Sequence, residues 1–281
     1  MQFRGSFPAL ITPMKDGKVD ESAFRKFVAW QIKEGTNGLV PVGTTGESPT
    51  LSPAEHKRVV EICIEEAGGK VPVIAGTGSN NTAEAIEYTV HAEKAGADAA
   101  LVVVPYYNKP TQDGMYAHFR AVAESVKIPI FVYNVPGRTG QNITPETLVE
   151  LAKIDNIVSL KDATGNFSQA VDNLSLLGDR LNNYSGNDDT IIPLMSLGAK
   201  GVISVLANIA PKATSEMTHA FLDGDIKKAA AMQAQYKELI DCLFVEPNPI
   251  PVKAGMQLLG FNVGPMRLPL TDADQAVIDR L

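Results

Sequence analysis

The sequence is poor in the residues that usually advertise chemistry. Its 281 residues include two cysteines, four histidines and one tryptophan. Cys63 and Cys242 lie far apart in stretches with helical periodicity, which argues against a disulfide framework and predicts buried free thiols in a reducing compartment. His56, His91, His118 and His219 all fall in helical stretches and form no H-x-x-x-H pair, so no metal is expected. There is no nucleophile elbow and no complete Walker loop. Gly76-Thr77-Gly78 is a fragment of a dinucleotide fingerprint without its third glycine, and no cofactor is expected. Basic runs are missing too. The net charge is −7 and the isoelectric point about 5.2, which argues against a nucleic-acid partner. No basic-then-apolar leader opens the sequence and no apolar run reaches membrane-spanning length, so the expectation is a cytoplasmic location with no membrane partner.

What is present is core material: 44% of residues are hydrophobic and 20% charged, enough for one large α/β domain or two smaller ones. Short apolar runs at 7–11, 38–42, 71–75, 99–104, 130–134, 156–161, 182–185 and 201–205 alternate with longer amphipathic stretches. Several runs are rich in valine and isoleucine without alternation, as in parallel strands buried on both faces. The run at 182–185 is polar. Between the runs, Phe24, Phe27, Val28 and Ile32 mark one helical face. Ser52-Pro53-Ala54-Glu55 supplies a cap, a first-turn proline and a capping-box glutamate, and Thr144-Pro145-Glu146 repeats the cap-then-proline signal. Eight strand–helix units spaced roughly 25–30 residues apart predict an α/β fold, a (β/α)8 TIM barrel; a doubly wound sheet is the alternative. The expected division is a barrel over 1–224 and a C-terminal helical appendage over 225–281. In the latter, Ala229, Met232, Tyr236, Leu239 and Ile240 share a face, the proline-rich stretch 246–251 breaks the helix, and another starts at Val252.

In such a barrel the reactive groups sit at the C-terminal ends of the strands. Those ends read Gly43-Thr44-Thr45-Gly46-Glu47, Gly76-Thr77-Gly78, Pro105-Tyr106-Tyr107, Tyr133 through Arg138, Lys161-Asp162, Gly186-Asn187 and Ile203-Ser204. Paired threonines between glycines offer hydroxyls and free backbone N–H groups to a carboxylate, or form a plain turn. Tyr133 can relay protons over the barrel mouth, or simply pack. Lys161 is the sharpest feature. An apolar strand that ends on lysine either lets the chain snorkel to water beside Asp162 or holds the amine in a low-dielectric pocket. There its pKa falls and the neutral amine can attack a ketone. Lys161, Tyr133 and Thr44 at one rim favour the second reading.

GTTGE at 43–47, YYNKP at 106–110, YNVPGRTG at 133–140, SLKDATGN at 159–166 and FVEPNPIPVK at 244–253 resemble the 4-hydroxy-tetrahydrodipicolinate synthase (dihydrodipicolinate synthase) family. That family consists of imine-forming enzymes of the pyruvate-dependent aldolase superfamily, and the resemblance spans essentially the whole sequence. It implies a lysine-biosynthetic enzyme of bacterial type whose substrates are pyruvate and L-aspartate 4-semialdehyde and which needs no cofactor. By the same resemblance Lys161 forms the Schiff base, and Tyr133 passes protons together with Thr44 and with Tyr107, which reaches a neighbouring subunit's site across a tight dimer. Thr45 holds the pyruvate carboxylate, Gly186 and Ile203 shape the pocket through their backbones, and Arg138 binds the carboxylate of the semialdehyde.

The family is most often a homotetramer, a dimer of tight dimers, and lysine-inhibited members bind L-lysine at the tight interface. The matching positions here are Ser48, His56, Asn80, Glu84 and Tyr106. A sister aldolase acting on N-acetylneuraminate or a 2-keto-3-deoxy sugar acid would share the lysine and the tyrosine; the second threonine of GTTGE and the arginine of GRTG separate the two. A metabolite sensor that kept the barrel without catalysis is the reading from another class, and every expected catalytic position is filled against it.

Overall fold

The computed structural model describes residues 3–281. Its strands are β1 (Gly5–Pro8), β2 (Met14–Lys15), β3 (Lys18–Val19), β4 (Ile74–Gly76), β5 (Ala99–Val103), β6 (Ile130–Asn134), β7 (Ile157–Asp162), β8 (Asn182–Ser185) and β9 (Gly201–Ser204). β2 and β3 form a small antiparallel ribbon, while the other seven lie parallel in the order β1-β9-β8-β7-β6-β5-β4. The sheet curls until its two edges meet a shared extended segment. Val40 bridges Ala9 on one side and Leu39 bridges Val73 on the other.

That segment is the expected second strand, and it completes the eight-fold barrel as paired residues rather than as a strand of ordinary length. Pro41 has no N–H to give the ladder, and Val42 turns to a positive φ of 50°. The bonds it can make are made: Val40 N–H donates to the Pro8 carbonyl at 3.0 Å and Leu39 N–H to the Pro72 carbonyl at 2.9 Å. The run at 71–75 forms a strand only from Ile74 onward; Pro72 within it likewise lacks a donor. The polar run at 182–185 is a full strand between β7 and β9, because its neighbours in the barrel decide the matter rather than its own propensity.

A helix follows each of the eight positions, from Glu21–Lys33 to Pro211–Leu222. The predicted caps hold. Ser52 and Glu55 close a reciprocal capping box with Pro53 in the first turn, and Thr144 caps the helix Pro145–Leu151. Leu160 packs outward among helix residues such as Leu148 and Leu151. By strand alternation Ser159 and Lys161 face the barrel interior, where Phe7, Ile74, Leu101, Phe131, Tyr133, Tyr184 and Ile203 form the inner layer.

Beyond residue 225 the chain is helical, with two adjustments. The face through Ala229 and Ile240 is split at Tyr236 into Ile226–Gln235 and Lys237–Cys242, and the last long helix begins at Ile250, not Val252, with Pro251 in its first turn. Ile240, Leu243, Val252 and Met256 share a core with Leu10, Phe24 and Val59 of the barrel. The core therefore continues without a break across residues 224 and 225. No described helix is long and apolar enough to cross a membrane.

Candidate active site

The strands β6 and β7 run in register so that Tyr133 lies opposite Lys161, and both side chains point into the barrel mouth. The Lys161 amine sits 4.1 Å from the centre of the Tyr133 ring. Lys161 is only 6% exposed. The snorkelling alternative fails on this burial and on the state of Asp162, whose carboxylate accepts instead from the Thr164 N–H at 2.8 Å and the Thr164 hydroxyl at 2.6 Å. Burial pushes the Lys161 amine down from 10.5 to about 7, with the Arg138 charge acting in the same direction and Asp188 acting against it. At the ordinary pKa about one amine in three thousand is neutral at pH 7, whereas at a pKa of about 7 roughly half are.

Space for the lysine stem depends on Gly186. A Cβ there would lie 3.1 Å from Lys161 Cε and 2.7 Å from the Ala163 Cβ. The Tyr133 hydroxyl is held protonated, its pKa raised by burial against the opposing effects of Arg138 and the Thr44 side chain. It therefore keeps its proton at neutral pH and can donate a hydrogen bond.

A cavity of about 260 Å³ opens over these groups, and Thr44, Thr45, Tyr133, Arg138, Lys161 and Gly186 all line it. Ser48 and Tyr106 line it too, so it continues toward the second cluster named from the sequence. There Glu84 accepts from the Ser79 hydroxyl at 2.5 Å and the Tyr88 hydroxyl at 3.5 Å, and Asn108 donates to the Asn80 carbonyl at 2.8 Å. His56 stacks on Tyr88 with ring centres 4.0 Å apart, and burial drives its pKa down to about 4. His56, Asn80 and Glu84 do not line the cavity, and neither do two of the residues expected at the catalytic centre. Ile203 is buried in the inner layer of the barrel. Tyr107 is 89% exposed and carries a φ of 70°, a left-handed conformation that is uncommon for a bulky aromatic. Among the described residues, no group of three or more histidine, cysteine or carboxylate side chains is placed to hold a metal ion.

Three further features were not read from the sequence. Asp188, just past β8, is buried, and its carboxylate accepts from the Ser204 hydroxyl at 2.6 Å, the Val205 N–H at 2.9 Å and the Leu206 N–H at 2.8 Å. Burial raises its pKa, opposed by those three donors and by Lys161. Asn248, from the proline-rich stretch, donates to Thr45 Oγ1 at 3.0 Å while its backbone carbonyl accepts from Arg138 at 3.1 Å. Glu47, which closes the threonine turn in a left-handed conformation, is buried against Lys253 with Nζ 2.6 Å from Oε1. Its other oxygen accepts from the Arg267 N–H at 3.0 Å. The only sequence signals for these were acidic residues directly after a strand end and a polar residue flanked by prolines.

The model of the dihydrodipicolinate synthetase family matches residues 2–281. A relative named 4-hydroxy-tetrahydrodipicolinate synthase from Syntrophus aciditrophicus (strain SB) is 53% identical over 95% of this chain and 92% of its own. A crystal structure described as the chloride-inhibited dihydrodipicolinate synthase of Acinetobacter baumannii complexed with pyruvate is 47% identical with a TM-score of 0.96, covering 99% of this chain and 96% of that one. Another, from Cyanidioschyzon merolae with lysine bound, is 42% identical with a TM-score of 0.96 over 99% and 95% of the two chains.

The electrostatics of Lys161 give a pH signature. Because its pKa is lowered, the reactive neutral amine gains population as pH rises through about 7. The rate of its reaction with a small 2-keto acid should climb about tenfold per pH unit below 7 and level off above it. Asp188→Asn keeps an oxygen for the Val205 and Leu206 N–H groups but removes the charge that favours the ammonium, so the bend should move to lower pH. A bend near the ordinary lysine value, or one unmoved by the substitution, would contradict the assignment.

Proposed function

The chain belongs to the dihydrodipicolinate synthetase family, and from that premise we propose that Lys161 is the amine that carries its chemistry. Its reaction is that of a 4-hydroxy-tetrahydrodipicolinate synthase, a lyase-class condensation of pyruvate with L-aspartate 4-semialdehyde on the diaminopimelate route to lysine. The observation that carries the residue assignment is the buried Lys161 amine set against Tyr133 in a cavity that also holds Thr45 and Arg138.

In this reading the neutral Lys161 amine adds to the pyruvate ketone, and the carbinolamine oxygen leaves as water once Tyr133 has supplied a proton. The resulting iminium withdraws electrons, so the pyruvate methyl group gives up a proton and becomes the enamine carbon. That carbon attacks the aldehyde carbon of the semialdehyde, whose oxygen takes a proton and becomes a hydroxyl. The amine of the semialdehyde then adds to the iminium carbon, closes the ring and expels Lys161 as the free amine. One water is released in total and no electrons are exchanged with an outside partner. Thr44 sits beside Tyr133 as the next group in the proton path. Thr45 and its backbone take the pyruvate carboxylate and Arg138 that of the semialdehyde, while Gly186 and Ile203 shape the walls through their backbones.

Two features support an assembly. Tyr107 is held outward from its own cavity, as suits a side chain that completes a neighbour's site in a tight dimer. Phe167, Val171 and Leu174, exposed on one face of the helix Phe167–Leu177, are suited to joining two such dimers into a homotetramer. The cluster of Ser48, His56, Asn80, Glu84 and Tyr106 supports L-lysine as inhibitor, with the Glu84 carboxylate taking one of its ammonium groups.

Incubation with pyruvate and borohydride should add one reduced pyruvate per chain, at Lys161, and Lys161→Arg should take up none. Arg138→Ala should raise the semialdehyde KM at least tenfold while leaving this labelling intact; labelling at another residue would overturn the assignment. Sedimentation should give four copies for the native chain and two for Val171→Asp, and a monomer in both would refute the assembly. L-Lysine should inhibit partially, without competing with pyruvate, and Glu84→Thr should abolish that inhibition while sparing uninhibited turnover. Full activity in saturating lysine would sink the inhibitor assignment alone.

A further inference from the structure

Among the described residues, Asn248 is the one that hydrogen-bonds to both Thr45 and Arg138, the proposed carboxylate subsites, and it does so from outside the barrel. It is 203 positions from Thr45 in sequence and only 5% exposed. Prolines at 247 and 249 restrict the backbone on either side, and the Ile250 N–H closes a turn onto the Pro247 carbonyl at 3.0 Å. The backbone carbonyl of Asn248 accepts from Arg138, and its side-chain amide donates to Thr45 Oγ1 at 3.0 Å.

A hydroxyl has one proton and two lone pairs. When Thr45 Oγ1 accepts from Asn248, its own proton is free for another acceptor. Turned the other way, Asn248 would take that proton and face an incoming anion with the bare lone pairs of Thr45. It would also leave both N–H donors of the amide without partners, where the present orientation pairs one of them and leaves Oδ1 unpartnered.

We infer that Asn248 is a positioning residue for the first substrate: its amide commits the Thr45 hydroxyl proton to the pyruvate carboxylate. The inference rests on the reading in which Thr45 holds that carboxylate. The C-terminal region thereby takes part in substrate selection, since a segment outside the eight strand–helix units sets the polarity of a group inside the site. The main-chain link to Arg138 does not depend on the Asn248 side chain, so the two subsites should separate on substitution.

The test is a double-mutant cycle read as the pyruvate concentration that half-saturates borohydride labelling of Lys161, together with the semialdehyde KM. Asn248→Ala should raise the half-saturating pyruvate concentration about fivefold, the worth of one hydrogen bond to a buried group. The semialdehyde KM should stay within about twofold. In a Thr45→Val background the same substitution should change pyruvate binding by less than about twofold, because the coupled oxygen is gone. Asn248→Asp preserves the shape and removes the donated proton; it should weaken pyruvate more than Asn248→Ala and serves if the alanine variant does not fold. Equal loss for both substrates, an undiminished effect in the Thr45→Val background, or pyruvate binding unchanged by either substitution would overturn the inference. Failure of the unaltered protein to label at Lys161 would instead overturn the underlying assignment.

Discussion

Everything in the site follows from holding a lysine amine away from water at the end of a barrel strand. Desolvating an ammonium costs several kcal/mol even after relaxation, and the protein has two ways of meeting that cost. Lys253 is 3% exposed and keeps a carboxylate at 2.6 Å. Lys161, at 6% exposure, leans on the face of the Tyr133 ring, and burial lowers its pKa to about 7. One buried lysine is a structural cation that ties the threonine turn to the C-terminal segment. The other is the proposed nucleophile, for which burial and the Arg138 charge outweigh the pull of Asp188. Gly186 leaves room for its stem, and the carboxylate of Asp162 accepts from Thr164 rather than from Lys161.

The charge of the chain sets a second constraint. With a net charge of −7, the protein field repels two carboxylate-bearing substrates, so local donors must overcome it. Arg138 supplies a cation at the rim, and the Thr44–Gly46 turn supplies hydroxyls and backbone N–H groups. Glu47 would add a negative charge directly beside that turn, but Lys253 and the Arg267 N–H occupy both of its oxygens. The buried pair thus keeps the substrate-facing side of the loop free of uncompensated charge.

Much of this was legible in the sequence, and the limits are physical. Strand ends in a barrel point at one face, so Lys161, Tyr133 and Thr44 could be singled out as candidates by position, whereas the roles expected of Thr45 and Arg138 came from the family resemblance. The segment around Leu39 was read as an ordinary strand because valine and leucine count signalled one, while Pro41 and the turn at Val42 cut its ladder short. Asn182–Ser185 was counted as a strand despite its polarity, and what makes it one is its place between β7 and β9. Asp188 and Asn248 were missed for a common reason: their partners, Ser204 to Leu206 and Thr45, are distant in sequence, and a polar residue past a strand end or between prolines reads as solvated loop until those partners are placed. Tyr107 was named from the resemblance, but nothing local could say that it faces away from its own cavity.

The central claim is that burial, aided by the Arg138 charge, brings Lys161 to the edge of neutrality before any substrate arrives. It can be measured directly on the substrate-free protein labelled with carbon-13 at the lysine ε-carbons, with the Lys161 resonance assigned by its loss in Lys161→Arg. In a pH titration that resonance should move with a midpoint of about 7, the value burial gives it, while the resonances of exposed lysines hold until about pH 10. A Lys161 resonance that still reports an ammonium at pH 9 would contradict the account.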